Sequence, residues 1–197
     1  RVSGVVLRWA QMAATKPSAS ALINATGTAS SSTFLRGDNA WAAAGGGKLV
    51  QMVSSVDGAV ATGTTVFPVD DTIPQNTEGV EYMSLAITPT NASNKLVIQF
   101  TGSFAVNDTG GAGVGSALFQ DSTAGALAAT THDSNGSHER YQHTIQHVMA
   151  AGTTSATTFK IRAGYVTSAT VTFNGSNTSR QFGGVNASSL IIWEYEV

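Results

Sequence analysis

Lys95-Leu96-Val97-Ile98-Gln99-Phe100-Thr101-Gly102-Ser103-Phe104-Ala105-Val106 carries the clearest period-two pattern in this 197-residue chain. Leu96, Ile98, Phe100, Phe104 and Val106 fall on one face, with Gly102 among them, and Lys95, Gln99, Thr101 and Ser103 fall on the other. Successive side chains of a strand point to opposite faces, so the alternation predicts a strand with one face in a core. The same reading extends outward. In 157–166, Phe159, Ile161, Ala163 and Tyr165 oppose Thr158, Lys160 and Arg162, and Val171 and Phe173 repeat the pattern. The stretch 114–121 alternates less cleanly. Tyr141, His143, Ile145, His147 and Met149 alternate with Gln142, Thr144, Gln146 and Val148, which predicts a further strand.

Turn signals separate these runs. Asp57-Gly58, Asn135-Gly136 and Asn174-Gly175 suit tight hairpin positions with positive φ. Pro68, Pro74 and Pro89 are expected at strand ends or edges, because Pro cannot donate to a ladder. No capped helical period occurs beyond Lys48. About nine or ten strands in the last 150 residues predict an all-β domain over 48–197. A jelly-roll-like antiparallel β-sandwich handles exposed sheet edges at this size.

The last apolar run points to self-association. Ile191, Trp193, Tyr195 and Val197 make one face, while Leu190 and Ile192 begin the other before Glu194 and Glu196. A strand apolar on both faces is normally covered on both sides. One cover is the core. The other is a second layer, a loop or a neighbouring subunit, or the strand is simply central within one monomer. Leu190, Ile192 and Trp193 are therefore candidate subunit-interface residues.

Composition narrows the function classes. Charged residues make up 11% of the chain, against about 25% in typical domains. The polarity comes from Ser, Thr, Asn, Gln and 21 Gly, a surface suited to neutral partners. A net charge of −2 supplies no basic field for nucleic acid. Cysteine is absent, so disulfides and thiolate metal sites are excluded. No apolar run of about 18 residues suits membrane insertion. Residues 1–47 carry +3 and the remainder −5, and the step falls at the Gly-rich joint Ala42-Ala43-Ala44-Gly45-Gly46-Gly47. The division expected is a stem and neck over 1–47 and a head over 48–197.

Within the stem, Val2, Val5, Trp9 and Met12 share a helical stripe that Lys16-Pro17 would end. So short a helix is marginal alone and needs sister helices to bury the stripe. The alternative is an amphipathic remnant with no oligomer. Residues 18–33 are too polar to form their own core. Because the chain begins at Arg1, it reads as part of something longer.

Between stem and head lies Ser32-Thr33-Phe34-Leu35-Arg36-Gly37-Asp38-Asn39-Ala40-Trp41: an apolar pair, a tight polar turn and a lone Trp. This segment resembles the neck of bacteriophage tail fibres, where FLRGD(N/G)xW joins a trimeric shaft to a C-terminal receptor-binding head. The resemblance covers about a dozen residues and the general plan. It implies a homotrimer at a fibre tip of the virion, joined to an upstream shaft and attaching to a bacterial surface glycan. With the tight turn between them, Phe34, Leu35 and Trp41 would plug the base of the head and are candidate subunit-interface residues. The strand count and apolar last strand are similar, without a shared motif, to the trimeric jelly rolls of C1q and tumour necrosis factor proteins. A tailspike-type polysaccharide depolymerase and a purely structural virion component are the alternatives. Arg36-Gly37-Asp38 also spells an integrin motif, but a turn accounts for it.

All four His fall in 132–147. His143 and His147, four apart on a strand, are separated by about 13 Å, too far to share one metal whose bonds to nitrogen are about 2 Å. One His from each of three chains could still meet on an axis. A Ser-His-Asp reading lacks a nucleophile elbow, and apart from Asp70-Asp71 the carboxylates are scattered. No catalytic residue, metal or cofactor is therefore expected. The third reading takes 132–140 as an exposed loop and His143 and His147 as half-buried strand positions. His132, Asp133, His138, Glu139, Arg140 and Tyr141 could then stack on and hydrogen-bond sugars, with Asn107 and Asp108 of a Gly-rich loop beside them. A solvated hairpin and a plain flexible turn are the bland counterparts.

Overall fold

The structure, a computed structural model, describes residues 30, 33–35, 40–43, 47–107, 113–133 and 139–197. The chain divides into two units, Arg1–Gly46 and Gly47–Val197. In the first, β1 (Thr33–Leu35) and β2 (Trp41–Ala43) pair antiparallel with Leu35 opposite Trp41. Leu35 is exposed and Trp41 half-buried. The expected stem helix with Val2, Val5, Trp9 and Met12, the turn residues 36–39 and the side chain of Phe34 lie outside the described residues.

The second unit holds β3 (Leu49–Asp57), β4 (Ala61–Gly63), β5 (Val80–Ile87), β6 (Lys95–Val106), β7 (Gly113–Gln120) and β8 (Ala128–Asp133). It continues with β9 (Arg140–Ala150), β10 (Thr157–Tyr165), β11 (Val171–Phe173), β12 (Gly175–Ser176), β13 (Ser179–Arg180), a 3-10 turn at Phe182–Gly184 and β14 (Ser188–Tyr195). That is twelve strands among the described residues rather than nine or ten. The additional ones, such as β4, β12 and β13, span two or three residues, too few to show a period. Every strand pairing in this unit is antiparallel.

One sheet runs β5-β10-β7-β8 and the other β3-β14-β6, with β9 on the opposite edge of β6. β11 and then β4 extend the second sheet beside Phe104–Val106. The predicted strand over 95–106 is β6, and its apolar face lies inward. Leu96, Ile98, Phe100 and Phe104 join Met83 and Ile87 of β5, Leu118 of β7, Phe159 and Ile161 of β10 and Ile145 of β9 in one buried cluster. Each such side chain contributes about 1.5–3 kcal/mol by leaving water.

β7 is buried on both faces, which explains the weak alternation in 114–121. Its inner residues face that cluster, while Ala117 and Phe119 pack under Phe67 on the outside. Gly115 and Gly164 are cross-strand partners, with the Phe67 ring over Gly115 and the Phe67 Cβ over Gly164. A Cβ on Gly115 would lie 2.4 Å from that ring. The Phe67 N–H donates to the Tyr165 carbonyl at 2.8 Å and locks the crossing segment.

Two sequence expectations need correction here. Leu190 and Ile192 are not at a subunit interface: β14 is a central strand between β3 and β6, and both side chains are fully buried in the chain's own core. Ile191, Trp193 and Tyr195 occupy the outward face and are half-buried. Asp57-Gly58 is not a positive-φ hairpin either. Gly58 keeps an ordinary φ, β3 and β4 do not pair with each other, and the Asp57 carboxylate instead accepts the Ala59 N–H at 2.7 Å. Asn174 does adopt positive φ, at 56°. Asn135-Gly136 lies outside the described residues, and Pro68, Pro74 and Pro89 all fall outside strands.

Candidate functional site

The register of β6 sets two ends of the second unit apart. At one end Lys95 is in line with Tyr195, Leu49 and Ala150, and the Glu196 N–H donates to the Lys48 carbonyl at 2.8 Å. At the other end Ala105 faces Arg140, Val106 faces Val171, Gly113 faces Asp133, and Val114 faces Tyr165. The strand ends that bound 107–112, 134–138 and 166–170 therefore lie at the end away from Gly47–Lys48. Twelve residues of β6 separate the two ends by about 36 Å at the usual rise.

The loop end gathers most of the candidate residues. His132 and Asp133 are exposed at the end of β8, Arg140 is exposed at the start of β9, Asn107 is exposed after β6, and Glu139 is half-buried. The His132 ring lies on Tyr141, with centroids 4.6 Å apart and planes at 36°. The Tyr141 hydroxyl donates to Glu139 in a very short hydrogen bond. Asn107 is tied down at both levels: its N–H donates to the Thr170 carbonyl at 3.1 Å and its side-chain amide to Asn177 Oδ1 at 3.4 Å. Asp108 and His138 lie outside the described residues.

The sequence reading of 132–140 as one exposed loop is corrected. His132 and Asp133 belong to β8 and Arg140 to β9. Tyr141 is only 6% exposed, because strand parity turns it inward with His143 and Ile145. It cannot offer an open stacking face. Instead it backs His132, so among the described residues the exposed planar groups here include His132 and Arg140.

His143 is fully rather than half buried, at 2% exposure. Its Nδ1 lies 2.7 Å from Ser116 Oγ of the facing sheet, and its ring meets Phe104 edge-on at 5.2 Å. Nε2 is buried with no hydrogen-bond partner. Desolvation, and then the nearby charge of His132, push its pKa down from 6.5 to about 4. The Ser116–His143 spacing is that of a nucleophile and base. Both groups are sealed from solvent, however, and no carboxylate orients Nε2, so the pair links β7 to β9 across the core and cannot meet a substrate as it stands. His147 is half-buried on the same face, opposite Ile98. Among the described residues no three His, Asp or Glu side chains converge closely enough for a metal ion.

One polar cluster escaped the sequence reading. Glu194, on the inward face after Leu190 and Ile192, is fully buried and is surrounded by Gln51, Thr90 and Asn94. Its signal was present: a carboxylate at a core parity position must find donors.

No known protein family matches the sequence, and no curated protein does. Solved structures similar to it include dimeric latent PorU from Porphyromonas gingivalis, with 7% identity and a TM-score of 0.35 over 75% of this chain. The infectious bursal disease virus Gx strain structure has 10% identity and a TM-score of 0.38 over 78% of this chain. The chain spans 13% and 40% of those two chains, respectively.

Proposed function

We propose that this chain is the receptor-binding tip of a bacteriophage tail fibre, a homotrimer with jelly-roll heads that attaches a virion to a glycan on the bacterial surface. One spatial relationship supports the reading: Gly47–Lys48 enters the head at one end of β6, and the strand ends that hold His132, Asp133 and Arg140, with Asn107 just after β6, lie at the other. A head hung from a shaft needs its contact groups at the end away from the attachment. The neck-like segment 32–41 and the charge-poor composition support the same conclusion. Neutral sugars are recognised by planar polar groups and adaptable hydrogen bonds, which His132, Arg140 and Asn107 provide. Each head would bind weakly, and three linked heads would bind well because linkage raises effective concentration.

The test is retention of the labelled chain by whole cells from a panel of bacterial strains, with purified capsular polysaccharide and lipopolysaccharide as competitors. Saturable retention by particular strains, abolished by one competitor, is the expected result. Release of oligosaccharides from that competitor would move the assignment to a depolymerase. Absence of retention by every strain at micromolar protein would leave a structural virion role.

A further inference from the structure

We infer that Asn174-Gly175 is a site of one-way deamidation, reached when the β12–β13 hairpin opens. The chain holds two Asn-Gly dipeptides, at 135–136 and 174–175, and only the second lies among the described residues. Gly matters because, without a side chain, its nitrogen can reach the preceding side chain. The Gly175 nitrogen attacks Asn174 Cγ. The bond from Cγ to the amide nitrogen breaks, and that nitrogen leaves as ammonia with the Gly175 proton. Water then opens the resulting succinimide. Opening at the side-chain carbonyl leaves Asp, and opening at the main-chain carbonyl leaves an isoaspartyl link. No oxidant or reductant takes part.

The fold holds both reacting groups still. Asn174 is fully buried. Its Nδ2 donates to the Asp57 carbonyl at 2.7 Å and to the Ala59 carbonyl at 3.1 Å, and its Oδ1 accepts from Ser188 Oγ at 2.6 Å. Its own N–H donates to the Ser103 carbonyl at 3.0 Å. One residue thus joins the end of β3, the approach to β4, the body of β6 and the start of β14. Gly175 is buried too, and a Cβ there would lie 2.3 Å from the Ser179 carbonyl oxygen.

The element that closes over Gly175 is slight. β12 and β13 have two residues each. The turn between them, Asn177-Thr178, has φ of 50° and 62°. Positive φ at a β-branched residue is strained. The turn and β13 are exposed. A hairpin so short, strained at its tip and open to water, separates long before the core strands do.

The product does not fit the corner. A carboxylate in place of the amide offers no hydrogen to the Asp57 and Ala59 carbonyls and sets a negative charge against them. The isoaspartyl link also adds one carbon to the backbone between β11 and β12. Each opening that ends in reaction therefore removes a clasp that reclosing cannot restore. The modification is independent of what the chain binds.

Peptide mapping by mass spectrometry, on the full chain held at mildly alkaline pH in a urea series, tests this. Conversion reads as the mass gain of an amide turned into an acid. In concentrated urea Asn174 should convert as fast as Asn135, which shares its Gly neighbour. In the folded chain it should convert about 100-fold more slowly, at a rate that stays flat with urea until global unfolding begins. A route through global unfolding would instead climb steeply with urea from the outset. Ser188→Ala removes the donor to Oδ1. It should speed conversion of the folded chain by about fivefold, the effect of one lost hydrogen bond, and leave the rate in concentrated urea unchanged. Asn174→Asp, which carries one product, should unfold at lower urea than wild type or fail to fold. Conversion of the folded chain as fast as in urea, or none before global unfolding, overturns the inference. So does Asn174→Asp with a wild-type midpoint, or folded Ser188→Ala converting at the wild-type rate. Should Ser188→Ala misfold, the wild-type urea series and Asn174→Asp decide.

Discussion

Glu194 and Asn94 meet at 2.6 Å, carboxylate to side-chain amide, a hundred residues apart in sequence. Glu194 also accepts from Gln51 Nε2 at 2.5 Å and from the Thr90 N–H and Oγ1, both at 2.8 Å. The last long strand is thereby clasped to the first strand of its sheet and to the connection between β5 and β6. Desolvation alone would raise the carboxyl pKa. The hydrogen bonds from Gln51, Asn94 and Thr90 outweigh it and bring the value to about 2. Because this lies below the unfolded value of 4.5, the stabilisation is complete above pH 4.5 and is lost as pH falls toward 2. Glu194→Gln turns amide hydrogens toward groups that are already donors. It should cost about 1–3 kcal/mol at neutral pH and flatten the stability profile between pH 4.5 and 2. Urea unfolding at a series of pH values measures both.

His143 governs a higher window. Its folded pKa of about 4 lies below the unfolded 6.5, so the unfolded chain binds the extra proton first. Stability is complete above pH 6.5, declines as pH falls toward 4 and levels off below. At about 1.4 kcal/mol for each tenfold change in proton affinity, the decline amounts to about 3 kcal/mol. His143→Leu should remove that slope while lowering stability at pH 7, since Ser116 loses its partner. A slope that persists in the variant would place the titration elsewhere.

Phe67 and Gly115 provide a packing test. Phe67 is 2% exposed and rests on the two cross-strand glycines. Phe67→Ala should cost about 3–5 kcal/mol, as large core truncations do. Gly115→Ala places a methyl against the Phe67 ring and should destabilise the wild type. In the Phe67→Ala background the same methyl meets space. The double-mutant cycle should therefore show an interaction of about 0.5–3 kcal/mol. Additive effects would mean that the ring does not depend on this notch.

The sheets were legible because their signal is local. Each long strand shows its parity within a few residues, and β6 begins and ends where the alternation does. What covers the outer faces is not local. The weak pattern of 114–121 could be understood only with Phe67 seated on Gly115, a contact 48 residues away. The two apolar faces of 190–197 had the same ambiguity: β14 is a central strand between β3 and β6, and Leu190 and Ile192 are covered by the chain's other sheet, β5-β10-β7-β8. At the candidate site, parity correctly paired Tyr141 with His143. Offering Tyr141 as a group that stacks on sugars ignored that parity, and nothing in the sequence revealed that His132 would stack on it.

That stack makes the last prediction separable from folding. Tyr141 is rooted in the core and its ring lies against that of His132, which is exposed. Arg140 begins the neighbouring strand, so its guanidinium is delivered to the same end on a rigid element. If these groups touch the glycan, His132→Ala and Arg140→Ala should each weaken binding by a single head about tenfold, the effect of about 1.4 kcal/mol. Avidity multiplies a per-head loss, so retention by cells should fall further than monovalent affinity does. Stability should change little, because exposed substitutions usually stay within about 0.5 kcal/mol, with at most about 1 kcal/mol more for the lost ring contact. Thr144→Ala, exposed four residues further along β9, is the control and should bind as wild type. Equal retention of all three variants would move the contact surface away from this end. Loss of retention together with a large fall in unfolding midpoint would show that His132 serves the fold rather than the partner.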